Sequence, residues 1–209
     1  MSEPVVLPAM TEAQAASWHA MMDLYTKVSE HWTLVGGQLG HLHCAERGSN
    51  TARPTTDADA VMNIRADQRI LTRFTAALAE LGFTPETSGD GHQHRWLYGL
   101  AQVDVLIPEG VGARAAKLHG VGGAPTVSSP GTTQALTRTE AVEVIVEGRA
   151  GTILRPNLVV ALVGKAAARV ELGGGRAASR TVSTSSSWLR CSPPVICASR
   201  RSTGGTASA

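Results

Sequence analysis

Cysteine is scarce in this 209-residue chain, which has only Cys44, Cys191 and Cys197. An odd count leaves one thiol unpaired in any disulfide scheme, and no Cys-x-x-Cys pair is present to hold zinc. Such usage suits a reducing cytoplasm, the expected location. Aromatic residues make up 4% of the chain, too few for a platform that stacks RNA bases. Long apolar runs are also missing. The longest, Leu158–Gly164, falls far short of the ~20 residues a membrane-spanning helix needs, so no membrane partner is expected. Met1–Met10 has one acidic residue, two prolines and no basic stretch, unlike a secretory signal. Neither a phosphate-binding Gly-x4-Gly-Lys-Ser/Thr loop nor a Gly-x-Ser-x-Gly nucleophile elbow occurs.

Acidic residues are absent from the last part of the chain. Residues 1–175 hold all 17 acids and 14 of the 19 Lys and Arg, a net charge of −3. Residues 176–209 hold five Arg and no acid, a net charge of +5. The mildly acidic body is no polycation built for nucleic acid. Ser and Thr supply 13 of the last 34 residues, and no helical or strand period survives there. Disorder is expected for 176–209, because little apolar surface is available to offset chain entropy. Two readings of this tail stand: a flexible basic extension, or an out-of-frame translation of a GC-rich coding region.

The body is richly patterned. Trp18, Met21, Met22, Tyr25 and Val28 share one face of a helix expected over Thr11–Glu30, with Thr11 and Gln14 as its capping box. Trp32–Val35 reads as a strand, Gln38–Glu46 as a helix and Gly48–Thr56 as a loop. Asp57–Ile64 alternates with a period of two, which predicts a strand. Ile70, Phe74, Leu78 and Leu81 stripe a helix over Asp67–Leu81, which Gly82 ends. His94–Gly99 and Gln102–Ile107 read as strands, followed by a glycine-rich loop over Gly110–Gly131. Ala141–Val146 and Ile153–Leu154 are further strand signals, separated by a turn over Gly148–Gly151. Pro156 opens a helix over Asn157–Leu172. The expected fold is α+β, a mixed sheet with packed helices, in one domain over residues 11–175.

Three features stand out together. Gly36-Gly37 lies between a strand and a helix, Asp57-Ala58-Asp59 opens the next strand, and Asp104 sits among Val103 and Val105 in a later one. Asp57 and Asp59, two apart on a strand, share a face. Close carboxylates repel unless a cation lies between them. A charge in an apolar strand is costly unless it is paired or bound to metal. If the two strands are neighbours, the three carboxylates converge into a site for two magnesium ions that could clamp a triphosphate. A glycine turn before a helix lets the backbone approach a phosphate. Each element alone has a plainer reading: an ordinary turn, a surface pair, an Asp paired with an Arg. Their order in the chain raises the combination above its parts.

The segments Trp32-Thr33-Leu34-Val35-Gly36-Gly37, Arg53-Pro54-Thr55-Thr56-Asp57-Ala58-Asp59 and Val103-Asp104-Val105-Leu106 resemble the nucleotidyltransferase fold of the DNA polymerase β-like superfamily. Within it they are most similar to bacterial nucleotidyltransferase toxins of the AbiE type, from type IV toxin–antitoxin systems. The resemblance spans roughly residues 18–172. It implies metal-dependent transfer of a nucleoside monophosphate from an NTP to an acceptor hydroxyl on RNA or protein, with a cognate antitoxin as a further partner. Asp57, Asp59 and Asp104 would be the catalytic and metal-binding residues, holding two Mg2+ ions, with Mn2+ as the alternative. Asp104 would also be the general base. Gly36, Gly37, Arg53, Thr55 and Lys165 would bind the substrate. After Lys165 the family pattern continues with more helix. Here Gly173-Gly174-Gly175 and the Ser/Thr-rich tail follow, so a truncated helical C-terminal part is expected.

Other signals carry less. His41 and His43, two apart on a helix, face different ways and make a poor joint metal site. His92-x-His94 reads as a surface pair. Arg95 would reach a phosphate, or a plain salt bridge, if its strand neighbours that of Asp104. Two rival functions remain open: a non-catalytic remnant of the fold, and an antibiotic-modifying nucleotidyltransferase with a pocket for a cationic small molecule.

Overall fold

A computed structural model describes residues 3–49 and 55–174. The tail expected over 176–209 lies outside the described residues, as does Arg53. The chain is α+β, with two sheets that share one helix layer.

The larger sheet takes β2 (Trp32–Val35), β3 (Asp57–Met62), β6 (Ala101–Pro108), β5 (Arg95–Tyr98) and β4 (Thr84–Glu86) in that spatial order, with β7 (Val127–Ser129) continuing beside β6. The β3–β6 pair is parallel and the β2–β3, β6–β5 and β5–β4 pairs are antiparallel. The smaller sheet pairs β1 (Val5–Val6) with the hairpin of β8 (Thr139–Val146) and β9 (Arg149–Pro156). Residues before position 11 therefore take part in the fold.

Helix α1 (Glu12–Lys27) packs against both β6 and β9, so its apolar stripe joins the two sheets. Its start is the capping box read from the sequence: Thr11 and Gln14 exchange side-chain and backbone hydrogen bonds. Trp18, Met21 and Leu24 are wholly buried. Alternation along the central strands then separates two faces. Ala58, Ala60, Met62, Val103, Val105 and Ile107 point into the core with α1 and α3 (Ile70–Glu80). Val61 and Leu106 point to the other face, where they meet Val35 and Ala135 of α4 (Thr132–Leu136). Asp57, Asp59 and Asp104 share this second face. Glu109, just past β6, anchors α4 by accepting from the backbone N–H of Thr132 and Thr133 at 3.0 and 3.1 Å, which suits a helix N-terminus. Helix α5 (Leu158–Gly174) crosses over the start of α4, and a Cβ at Gly164 would lie 2.5 Å from the carbonyl oxygen of Gly131.

The structure differs from the sequence expectation at short elements. β1, β4, β7 and α4 have two, three, three and five residues, below the length at which periodicity is visible. The expected turn over Gly148–Gly151 closes sooner. Glu147 and Gly148 take positive φ, and Arg149 already begins β9, which extends to Pro156. Among the described residues, no helix is long and apolar enough to cross a membrane.

Phe74 of α3 is wholly buried and packs on Trp32 of β2 with ring centroids 5.4 Å apart. Phe74→Ala should cost about 3–5 kcal/mol of folding stability, measured as a lower urea midpoint. A loss below 1 kcal/mol would contradict this packing.

Candidate metal centre

The site begins with strand register. β3 and β6 run parallel, with Asp59 opposite Asp104 and Asp57 opposite Gln102. On the far side of β3, Val35 at the end of β2 is opposite Asp59. On the far side of β6, Arg95 of β5 is opposite Asp104. The three carboxylates read from the sequence are thus brought together. One oxygen from each of Asp57, Asp59 and Asp104 lies within 4.8 Å of the others.

The glycines meet this cluster closely. Gly36 and Gly37 form the first turn of α2 (Gly36–Ala45), so the helix starts directly at the strand end rather than after a separate turn. Gly36 has φ +69°, and a Cβ there would fall 1.8 Å from Oδ2 of Asp59. Positive φ and the carboxylate each exclude a side chain at this position. At Gly37 a Cβ would fall 2.4 Å from Cγ2 of Thr55. The next residue, Gln38, is fully buried, and neither its amide oxygen nor its amide nitrogen has a hydrogen-bond partner.

Each carboxylate has its own surroundings. Asp57 accepts a hydrogen bond from the Thr55 hydroxyl. Asp104, 6% exposed, accepts from Nε and Nη2 of Arg95 at 3.1 Å each and from Nε2 of Gln102 at 3.3 Å. Asp59 has no such donor. Burial, then the negative charges of Asp57 and Asp104, push its carboxyl up to about 8, against the opposing pull of Arg95. The hydrogen bond and charge of Asp104 in turn raise Arg95 above the usual guanidinium range.

Helix α1 fixes the approach to β3. Gln14 Nε2 donates to the carbonyl of Thr55 at 3.3 Å. The wholly buried Ser17 donates to the carbonyl of Thr56 at 2.7 Å and accepts from the backbone N–H of Gln102 at 3.0 Å. Ser17 therefore clips the residue before Asp57 to the strand of Asp104. Ser17 and Gln14 were not singled out as site residues from the sequence. Their signal was present as two polar residues within the buried stripe of an amphipathic helix.

Lys165 lies on α5, half-buried, one residue beyond the crossing with α4. Thr55 serves Asp57 and packs on Gly37. The histidine pair of α2 divides as its spacing predicts. His41 sits edge-on to Trp18 at 6.5 Å, while His43 places Nδ1 2.9 Å from Glu46 and Nε2 3.1 Å from the carbonyl of Pro156. Burial lowers the proton affinity of both rings.

Three carboxylates and no sulfur or imidazole make an all-oxygen donor set, which fits a hard divalent cation such as Mg2+ or Mn2+. Such an ion would relieve the repulsion that now falls on Asp59.

Two predictions follow from this geometry. Asp59 binds its proton more tightly in the folded than in the unfolded chain. Folding stability should therefore fall as pH rises from about 4 to about 8, the window between its ordinary and folded values. Asp59→Asn should flatten that slope and raise the melting temperature more at pH 8 than at pH 5. Equal melting temperatures for the two proteins at pH 8 would refute the assignment. Ser17→Ala would orphan a carbonyl and an N–H at the junction, at a cost of about 1–3 kcal/mol each, read by urea unfolding.

Comparisons with protein-family models, with curated proteins and with solved structures each find no match to this chain.

Proposed function

We propose that this chain is a metal-dependent nucleotidyltransferase that moves a nucleoside monophosphate from an NTP to an acceptor hydroxyl on RNA or protein. The observation that carries this reading is the convergence of Asp57, Asp59 and Asp104 beside the glycine-opened start of α2. Carboxylates this close are costly to the fold, and a site for divalent cations gives that cost a use.

Bound here, Mg2+ or Mn2+ would offset the triphosphate charge and stabilise the charge that builds up during transfer. The chain's own groups do the rest. The start of α2 at Gly36 and Gly37, beside the carboxylates, is a helix N-terminus of the kind that suits a phosphate oxygen. Thr55 holds Asp57 in place, and Ser17 holds the β3 approach against β6. Asp104 takes the proton of the acceptor hydroxyl as its oxygen bonds to the α-phosphorus. The bond from that phosphorus to the bridging oxygen breaks, and pyrophosphate leaves. Arg53 and Lys165 are assigned to the triphosphate by the family resemblance alone. A toxin role beside a cognate antitoxin, and a cytoplasmic setting, extend the same resemblance.

One observation favours the second reading, a non-catalytic remnant. Both oxygens of Asp104 are already engaged by Arg95, so the proposed base has a counter-ion built in.

Thermal melts with and without each magnesium–NTP decide between them. A single site stabilises the fold by about 2.7 kcal/mol at a hundredfold excess over the dissociation constant. The wild type should show a magnesium-dependent rise that the double variant Asp57→Ala/Asp59→Ala lacks, and Asp57→Ala should abolish transfer while still melting cooperatively. A cooperative wild-type melt that no NTP shifts would favour the remnant.

A further inference from the structure

The pairing of Arg95 with Asp104 sets one carboxylate of the cluster apart. Arg95 forms a two-pronged contact, Nε to Oδ1 and Nη2 to Oδ2, both at 3.1 Å. Gln102 adds a third donor on Oδ1. Among the described residues, Asp57 and Asp59 have no ion-pair partner, and only Asp104 carries its own counter-ion.

Two features make this pair exchangeable rather than purely structural. First, the exposures differ: the Asp104 side chain is 9% exposed and that of Arg95 38%. The carboxylate is fixed in the sheet, while the guanidinium has open space to turn into. Second, Asp104 has few lone pairs left with three donors already on it. A cation shared among the three carboxylates competes with both prongs of Arg95 for the charge and the remaining lone pair of Asp104. The displaced guanidinium stays tethered to β5, directly opposite Asp104 in register. It is a planar fork of donors, the shape that best matches two oxygens of a phosphate.

We propose that Arg95 is an exchanging counter-ion: it pairs with Asp104, yields to an entering cation, and then clamps a phosphate group of the substrate. This inference rests on the reading of the carboxylate cluster as a metal centre. It makes Arg95 a positioning residue for Asp104 in one state and a substrate ligand in the other. The phosphate belongs either to the donor triphosphate or to the backbone of an RNA acceptor, and the guanidinium chemistry is the same for both.

The test measures binding rather than turnover. Mn2+ binding to the full chain is followed by the spin resonance of free Mn2+, and Mn·NTP and a short RNA with Mn2+ by calorimetry. The proteins are the wild type, Arg95→Gln, Arg95→Lys and Asp57→Ala. Arg95→Gln should bind Mn2+ alone about tenfold more tightly, because the competing charge is gone, and should bind either Mn·NTP or the RNA about tenfold more weakly. The ligand that weakens identifies the source of the phosphate. Arg95→Lys, which keeps the charge and loses the fork, should fall between. Opposite changes for metal and phosphate ligand are the signature, since a merely structural Arg95 would weaken both. Weakening of both, no change in either, or tighter metal with both phosphate ligands unaffected would each overturn the proposal. If the wild type melts cooperatively yet binds no Mn2+, the metal-centre reading fails and this inference falls with it. If the wild type binds Mn2+ in an Asp57-dependent way and the Arg95 variants match it, only this inference fails.

Discussion

Three carboxyl groups sit where two parallel strands meet, and most of the local structure answers to that. The β3–β6 register puts Asp59 directly across from Asp104, and the two-residue repeat of the strand adds Asp57 on the same face. Their repulsion is handled unequally. Asp104 receives Arg95 and Gln102, Asp57 receives a hydroxyl, and Asp59 keeps its proton up to about 8. A sheet designed only for stability would place apolar residues here, as the same strands do one step along at Val61 and Leu106. The strain of charge is thus confined to one end of one face.

The surroundings are fitted to hold that end still. Helix α1 lies between the two sheets and contributes both apolar burial and the polar contacts of Gln14 and Ser17. These contacts connect the loop before β3 to the first residues of β6. The position of Asp57 relative to Asp104 therefore depends on the seating of a helix that also packs on α3, β8 and β9. The smaller sheet backs the helix that spaces Asp57 and Asp104.

Legibility in the sequence followed length and periodicity. α1, α3, β2, β3 and β6 each bury a regular face, and their patterns were visible within a residue or a few of the observed bounds. Short pieces such as β7 and α4 were not, because three to five residues carry no period. Their places are set by neighbours: β7 by the free edge of β6, α4 by the carboxylate of Glu109. The candidate site was legible as residue types, since Asp-x-Asp, a lone strand Asp and a Gly-Gly pair are unusual choices for apolar surroundings. The roles of Ser17 and Gln102 were not, because a buried polar side chain is informative only once its distant partner is known.

The amino-acid sequence by itself determined the longer helices, the strands β2, β3 and β6 with their apolar faces, and which three carboxylates are out of place in them. These are local properties, fixed by side-chain spacing along a helix or strand. The tertiary structure alone decided that β3 and β6 are parallel neighbours, and that their register sets Asp59 against Asp104. It also decided that Arg95 arrives on the far side of that pair. Strand order and register depend on packing between segments some forty residues apart, and no local pattern encodes which charge will face which.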